Sequence, residues 1–215
     1  MEAHNRLPIE LKTPQPWGNK KQVEVNTTLD ASEHQKSDLT NTELRTKALD
    51  RIEEHDADWV IYTDGSAVES TMNGGSAAVI TNSIMGSSLH PHVVTTIKKK
   101  GRALTSSYEE EAAAMESAVE WVENNISTPS TKILVCTDSQ SLCQNLSDPL
   151  FCTVVDLRDR IERAAPNIVI QWIPAHVGIP GNELADEAAK QATQLGGPPC
   201  SVSYGSIKAH IKQDI

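Results

Sequence analysis

Four carboxylic acids and one histidine stand where reactive chemistry can be assembled. Asp64 ends a short β-rich run that starts at Trp59 and leads into Thr63-Asp64-Gly65-Ser66. Asp138 ends the continuous apolar run of residues 132–137, KILVCT. Glu111 lies near the start of a helical pattern over residues 106–124, and Asp186 lies one turn into another from Asn182 to about Gln194. His176 precedes Asp186 by ten residues, on a Gly/Pro-rich loop. Two carboxylates at adjacent strand ends, joined by two from helices packed over that edge, would repel one another and retain protons. Divalent cations relieve such repulsion, and carboxylate oxygens with water are the ligands Mg²⁺ prefers. The matching chemistry is two-metal phosphoryl transfer, with one ion activating a water and the other stabilising the leaving oxygen. Each residue also has a plainer use. Asp before Gly forms turns, Glu early in a helix complements its dipole, and a lone loop His is commonly a surface residue.

The elements that must position these groups are legible as an order βββ-α-β-α(α)-β-α. Residues 59–62, 76–80 and 92–97 read as three β-runs close together, an antiparallel meander. Gly74-Gly75 reads as the turn before the second. In residues 106–124, Ala114, Met115, Ala118, Val119 and Val122 recur at three- and four-residue steps, which predicts a helix. The apolar run 132–137 predicts a central parallel strand. Short helical patterns follow over 139–146 and 151–164, then a strand over 168–173, the loop Gly178-Ile179-Pro180-Gly181, and the last helix. Strands linked by helical crossovers imply an α/β fold with a mixed sheet of five strands, three antiparallel plus two parallel, flanked by helices.

Three regions divide the 215 residues. Residues 1–58 read as a flexible arm carrying Pro8, Pro14 and Pro16, followed by a connector helix in which Leu39, Leu44, Ala48, Leu49 and Ile52 keep helical spacing. Residues 59–195 form the domain, and 196–215 a C-terminal tail. No run approaches the roughly 18 apolar residues of a spanning helix. The N-terminus lacks a signal-peptide layout, so the expectation is an intracellular protein, cytoplasmic or nuclear, without membrane contact. Cys136, Cys143, Cys152 and Cys200 have no CxxC spacing, so they read as reduced thiols rather than a zinc site. The formal charge is −10, which taken alone argues against a nucleic-acid partner, since phosphate affinity comes mainly from Lys and Arg.

Five segments in order resemble the type 1 ribonuclease H family. They are Tyr62-Thr-Asp64-Gly-Ser66, Glu111-x-x-Ala114-x-x-x-Ala118, Thr137-Asp138-Ser139-Gln140, Trp172-Ile-Pro-Ala-His176-Val-Gly178, and Gly181-Asn182-Glu183-Leu-Ala-Asp186-Glu-Ala-Ala189. The resemblance implies a ribonuclease H fold and a metal-dependent endonuclease that hydrolyses the RNA strand of RNA/DNA hybrids, leaving 5′-phosphate and 3′-hydroxyl ends. It implies Asp64, Glu111, Asp138 and Asp186 as ligands of two Mg²⁺ ions, with Mn²⁺ as an alternative. Glu109 and Glu110 compete for the helix position, and Glu111 is favoured because the family pattern places alanine three and seven residues later. His176 would move protons and help release product. Gly65, Ser66, Ser139, Gln140 and Asn182 would face the substrate, where RNA 2′-hydroxyls are read. A non-catalytic hybrid-binding relic and an integrase- or transposase-like DNA nuclease of the same fold are the alternatives.

Many cellular relatives carry a basic helix-loop between the third acid and the His. Here that interval holds Arg158, Arg160 and Arg163 against Asp148, Asp156, Asp159 and Glu162. Domains without that handle resemble those fused behind reverse transcriptases, and residues 1–58 resemble the connector before the ribonuclease H domain of non-LTR retrotransposons. That likeness implies a reverse-transcriptase domain as a partner within a longer polyprotein. The group Lys98-Lys99-Lys100-Gly101-Arg102 reads either as a phosphate contact or as a solvated hairpin end.

Overall fold

The computed structural model describes residues 23–29, 39–68, 72–101, 105–148, 154–164 and 167–196. Its elements are β1 (Glu24–Asn26), α1 (Asn41–Glu54), β2 (Trp59–Val68), β3 (Met72–Asn82), β4 (His92–Lys100), α2 (Ser107–Asn125), β5 (Ile133–Thr137), α3 (Gln140–Ser147), α4 (Val155–Ala164), β6 (Ile168–Trp172) and α5 (Pro180–Thr193). They form one mixed sheet in the order β1-β6-β5-β2-β3-β4. The ladders β2–β3 and β3–β4 are antiparallel, and β2–β5, β5–β6 and β1–β6 are parallel.

Alternation along the strands decides which helix covers which face. Ile61, Ile133 and Val135 point toward α2, α3 and α4, where Met115, Val119, Leu142, Leu146, Leu157 and Ile161 close the core. Val60, Tyr62, Leu134 and Cys136 point the other way, toward Ala48, Leu49 and Ile52 of α1 and Ala185 of α5. Thr40 and Ser106 each make a complete capping box, with Glu43 and Glu109, at the starts of α1 and α2. Each such cap contributes about 1 kcal/mol and fixes where its helix begins.

Four sequence expectations change. The sheet has six strands rather than five, because Glu24–Asn26, inside the stretch read as a flexible arm, pairs with β6 at Glu24↔Val169 through Asn26↔Gln171. A three-residue strand is too short to show a period. Gly74 and Gly75 lie inside β3 rather than in a turn. They are small because helices press on them: a Cβ at Gly75 would sit 2.5 Å from the Thr193 nitrogen, and one at Gly74 would collide with Glu110 Oε1. Glycine in a strand marks close approach as often as a turn. Asp64 does not end its strand, since β2 runs on to Val68 against β3. Finally, Pro180 and Gly181 are the first turn of α5 rather than loop. Proline suits that position because its missing N–H has no helical acceptor there.

Most of the arm expected over residues 1–37, the tail from 197 onward, Arg102, Cys152 and Cys200 lie outside the described residues. Cys136 and Cys143 are buried free thiols. No described helix is long and apolar enough to cross a membrane.

Candidate active site

The register of two parallel strands puts two carboxylates side by side. Thr63 of β2 pairs with Thr137 of β5, and the β2–β5 ladder stops there. The next residue on each strand is an aspartate, Asp64 and Asp138. So the feature that matters is the end of a parallel ladder, not the end of β2. The Asp138 backbone is pinned by the Trp172 indole, whose Nε1 donates to the Asp138 carbonyl at 3.1 Å. The Ser139 amide donates to Thr137 Oγ1 at 3.2 Å, which folds the chain away from the ladder at once.

Glu111 arrives from α2, and Gly65 is the reason it comes so close. A Cβ at Gly65 would collide with the Glu111 nitrogen. Backbone therefore packs on backbone, and the Gly65 N–H serves the carboxylates of both Asp64 and Glu111. The three neighbouring glutamates separate by role. Glu109 closes the cap of α2. Glu110 is buried against Gly74 and Gly101 on β3 and at the end of β4. Glu111 faces the aspartates.

One carboxylate oxygen from each of Asp64, Glu111 and Asp138 lies within 4.8 Å of the other two. Asp64 is 7% and Glu111 8% exposed. Burial first, then the charges of Asp138 and Asp186, push the Asp64 carboxyl up to about 7, with Lys190 and the Gly65 amide offsetting part of the rise. Burial, then Asp64 and Asp138, push Glu111 well above the ordinary carboxylate range. Asp138 is raised by burial, against the opposing pull of Asn182 and His176. Asn182 Nδ2 donates to Asp138 Oδ2 at 3.1 Å. Glu111 Oε2 and Asn182 Oδ1 are buried without a hydrogen-bond partner. Mutually repelling acids and partnerless buried oxygens are the donor set that a hard divalent cation satisfies.

The fourth acid belongs to an adjoining group. Asp186 clusters with His176 and Glu183, again with ligand atoms within 4.8 Å. Its charge reaches Asp64 and Asp138, while its Oδ2 accepts from Lys190 Nζ at 2.5 Å. Glu183 Oε1 accepts from the Gly178 amide at 3.1 Å. His176 is exposed and sits in the left-handed region at φ 54°. A non-glycine residue held there costs on the order of 1–3 kcal/mol, so its loop must be over-determined by its surroundings.

The remaining expected residues follow the two aspartates in sequence, on β2 and at the start of α3. Ser66 and Ser139 are half-buried and Gln140 is exposed at the start of α3. Ser139 Oγ contacts Ser141 Oγ at 3.4 Å. Asn182 does not cap α5, whose N-cap is Ile179. It points into the carboxylates instead. Sequence reading missed Lys190 as part of the site and named Trp172 only as the head of a family segment, without a role. For Lys190 the signal was present, because Asp186 and Lys190 stand four apart on a helix. For Trp172 the family segment marked the residue but not its role, since its partner is a backbone carbonyl 34 residues away.

Comparison with curated proteins gives no significant match. Among solved structures, the N-terminal RNase H domain of a Mycobacterium tuberculosis protein superposes with a TM-score of 0.50 at 16% identity, over 71% of this chain and 97% of its own. RNase H1 from the halophilic archaeon Halobacterium salinarum gives 0.50 at 17% identity, over 63% and 97%. The foamy viral protease-reverse transcriptase, solved with an RNA/DNA hybrid, gives 0.51 at 16% identity, over 88% of this chain and 23% of that one. These likenesses show the fold. The RNase H family model matches residues 56–194, well over half of the sequence and inclusive of both carboxylate groups, and the chain belongs to the RNase H family.

Proposed function

We propose that the chain is a divalent-metal-dependent endonuclease that hydrolyses the RNA strand of RNA/DNA hybrids, leaving 5′-phosphate and 3′-hydroxyl ends. The observation that carries this reading is the convergence of Asp64, Glu111 and Asp138 within 4.8 Å, with Glu111 Oε2 buried and unpartnered, in an RNase H domain. In this reading Asp64 and Asp138 would hold one cation, and Asp64, Glu111 and Asp186 the other. When bound, two Mg²⁺ or Mn²⁺ ions supply a lowered water pKa and a counter-charge for the leaving oxygen.

The chain's own residues then do four things. The Gly65 amide and Asn182 Nδ2 hold the Asp64, Glu111 and Asp138 carboxylates in place before substrate arrives, so little reorganisation is left for the reaction. Lys190 keeps Asp186 neutralised by an ion pair. The exposed His176 imidazole, grouped with Asp186 and Glu183, is the side chain that would move a proton to the departing 3′ oxygen. Gly65, Ser66, Ser139 and Gln140, next to the two aspartates in sequence, would contact the hybrid's RNA strand.

A retroelement setting, with a reverse-transcriptase domain in a longer polyprotein, fits the flanking residues. Consistent with it, a protease-reverse transcriptase from a foamy virus, solved in complex with an RNA/DNA hybrid, is among the proteins that share this fold. The test of activity is a panel of end-labelled substrates with Mg²⁺ or Mn²⁺: RNA/DNA hybrid, single-stranded RNA, RNA duplex and DNA duplex. The expected result is cleavage of the hybrid's RNA strand alone, with a 5′-phosphate on the downstream product. Cleavage of duplex DNA would point to the integrase- or transposase-like alternative.

A further inference from the structure

The family match begins at residue 56, after α1 has ended at Glu54, yet α1 is built into the site. Ala48, Leu49 and Ile52 share one apolar cluster with Ile173 and Ile179, and the partly buried Val177 packs against it. These are residues on both sides of His176. Arg45, one turn earlier on α1, donates from Nε to the Gly178 carbonyl at 2.8 Å. The amide of the same glycine donates to Glu183 Oε1 at 3.1 Å. Gly178 is thus held from two sides, by α1 and by α5. At φ 83° it takes a left-handed turn, as His176 does at φ 54° two residues earlier.

The far end of α1 is tied down as well. Arg51 Nε donates to Gln171 Oε1 at 3.2 Å, and His55 Nε2 lies 3.2 Å from the same oxygen. Gln171 is fully buried on β6, and its Nε2 donates to the Thr28 carbonyl just beyond β1 at 3.0 Å. So α1 is not a passive linker. It is a brace fixed to the sheet at Gln171 and reaching the His loop at Arg45.

We propose that Arg45 is a positioning residue for His176, fixing the left-handed loop through the Gly178 carbonyl, and that α1 is therefore part of the catalytic unit rather than a connector to it. This rests on the reading that His176 serves hybrid hydrolysis. Gly178 takes its left-handed turn at no steric cost, but His176 as a non-glycine residue stays in that region only when its surroundings hold it there. Ile179 supplies that constraint on the C-terminal side through the core, Glu183 through the amide, and Arg45 through the carbonyl. Without Arg45 the loop keeps its anchor at Ile179 and loses its register at His176.

The experiment has two arms on the full chain. In the first, backbone amide exchange over residues 174–179 is compared among wild type, Arg45→Ala and Arg45→Lys. Alanine should accelerate exchange at Gly178 by about fivefold or more, as expected for local opening, and lysine should restore most of the protection. In the second, hybrid cleavage is measured for Arg45→Ala, His176→Ala and the double variant. Arg45→Ala should lower kcat by roughly tenfold with KM unchanged, in the range that a small misplacement imposes. In the His176→Ala background it should cost almost nothing. Ile161→Ala, which removes core volume under α4 on the opposite face of the sheet, should lower Tm yet leave kcat intact well below Tm. Unchanged exchange at Gly178, or an equal Arg45→Ala penalty with and without His176, overturns the proposal. If the wild type cleaves no hybrid, the functional reading falls, and the exchange arm alone decides whether Arg45 fixes the loop.

Discussion

At the scale of single residues the site is a store of unfavourable charge. Asp64 has its carboxyl pushed up to about 7, with burial the main cause. An acid whose folded pKa lies above its unfolded value binds more protons in the folded state, so stability declines as pH rises between the two values. For Asp64 that window runs from about 4 to about 7, and the span corresponds to roughly 4 kcal/mol at most. Glu111 and Asp138 shift in the same direction. The metal-free protein should therefore lose Tm as pH rises through that window in the presence of a chelator. Asp64→Asn should flatten that slope and raise the metal-free Tm above the window, while abolishing cleavage. Added Mg²⁺ or Mn²⁺ should raise the wild-type Tm there and leave the Tm of the Asp64→Asn variant nearly unchanged. A flat wild-type profile would remove the electrostatic account. Lys190 holds Asp186 with its own positive charge. Lys190→Gln should tighten cation binding by several-fold in calorimetry, since an ion pair competes with the metal for the same oxygen.

At the scale of elements, the site depends on one parallel ladder that stops at Thr63 and Thr137 and one helix that arrives very near. The paired apolar runs made that strand edge readable, because buried parallel strands are continuously apolar and end where polar residues begin. Asp64, Asp138 and the two flanking helices followed from the same pattern. What periodicity does not carry is contact across the chain. Nothing near Gly65 in sequence says that α2 lies against it, and nothing near Gly74 says that Glu110 does. Both glycines read as turn residues until the helices are in place. The grouping of Asp186 with His176 and Glu183 was hidden for a related reason, since it depends on how the left-handed loop returns to α5. Gly65→Ala tests the close approach. A methyl group driven into the Glu111 nitrogen forces α2 outward, which should destabilise the fold by about 1–3 kcal/mol. Activity at a temperature where the variant is still folded should fall by about 100-fold or more, as a ~1 Å displacement of Glu111 can impose. Retention of wild-type kcat would mean that the glycine does not position Glu111.

At the scale of the whole molecule, the question is how so acidic a chain meets a polyanion. Residues 59–195 hold 9 basic and 16 acidic groups, a net of −7. Four of those acids form the candidate site, and two divalent cations would bring the net to about −3. The arginines of α4 do not compensate, because they are used internally. Arg158 donates to the Leu146 carbonyl and to Glu162, Arg160 reaches Glu123 at 2.6 Å, and Arg163 donates to the Asp159 carbonyl. Lys98 and Lys99 lie on β4 and hold Gln191 and Glu120. The isolated chain should thus bind hybrid weakly and only with metal, with affinity falling steeply between about 50 and 200 mM salt. Fusion to a basic hybrid-binding module should restore tight binding without changing the cleaved strand. Salt-independent binding would contradict this. The central claim, that the converging carboxylates perform hydrolysis, is tested most directly by one comparison on an end-labelled RNA/DNA hybrid with Mg²⁺. Wild type should cut the RNA strand, and Asp138→Asn, which preserves shape and removes one charge, should lower the single-turnover rate by about 1,000-fold or more at equal hybrid binding. Equal cleavage by the two proteins would contradict the account.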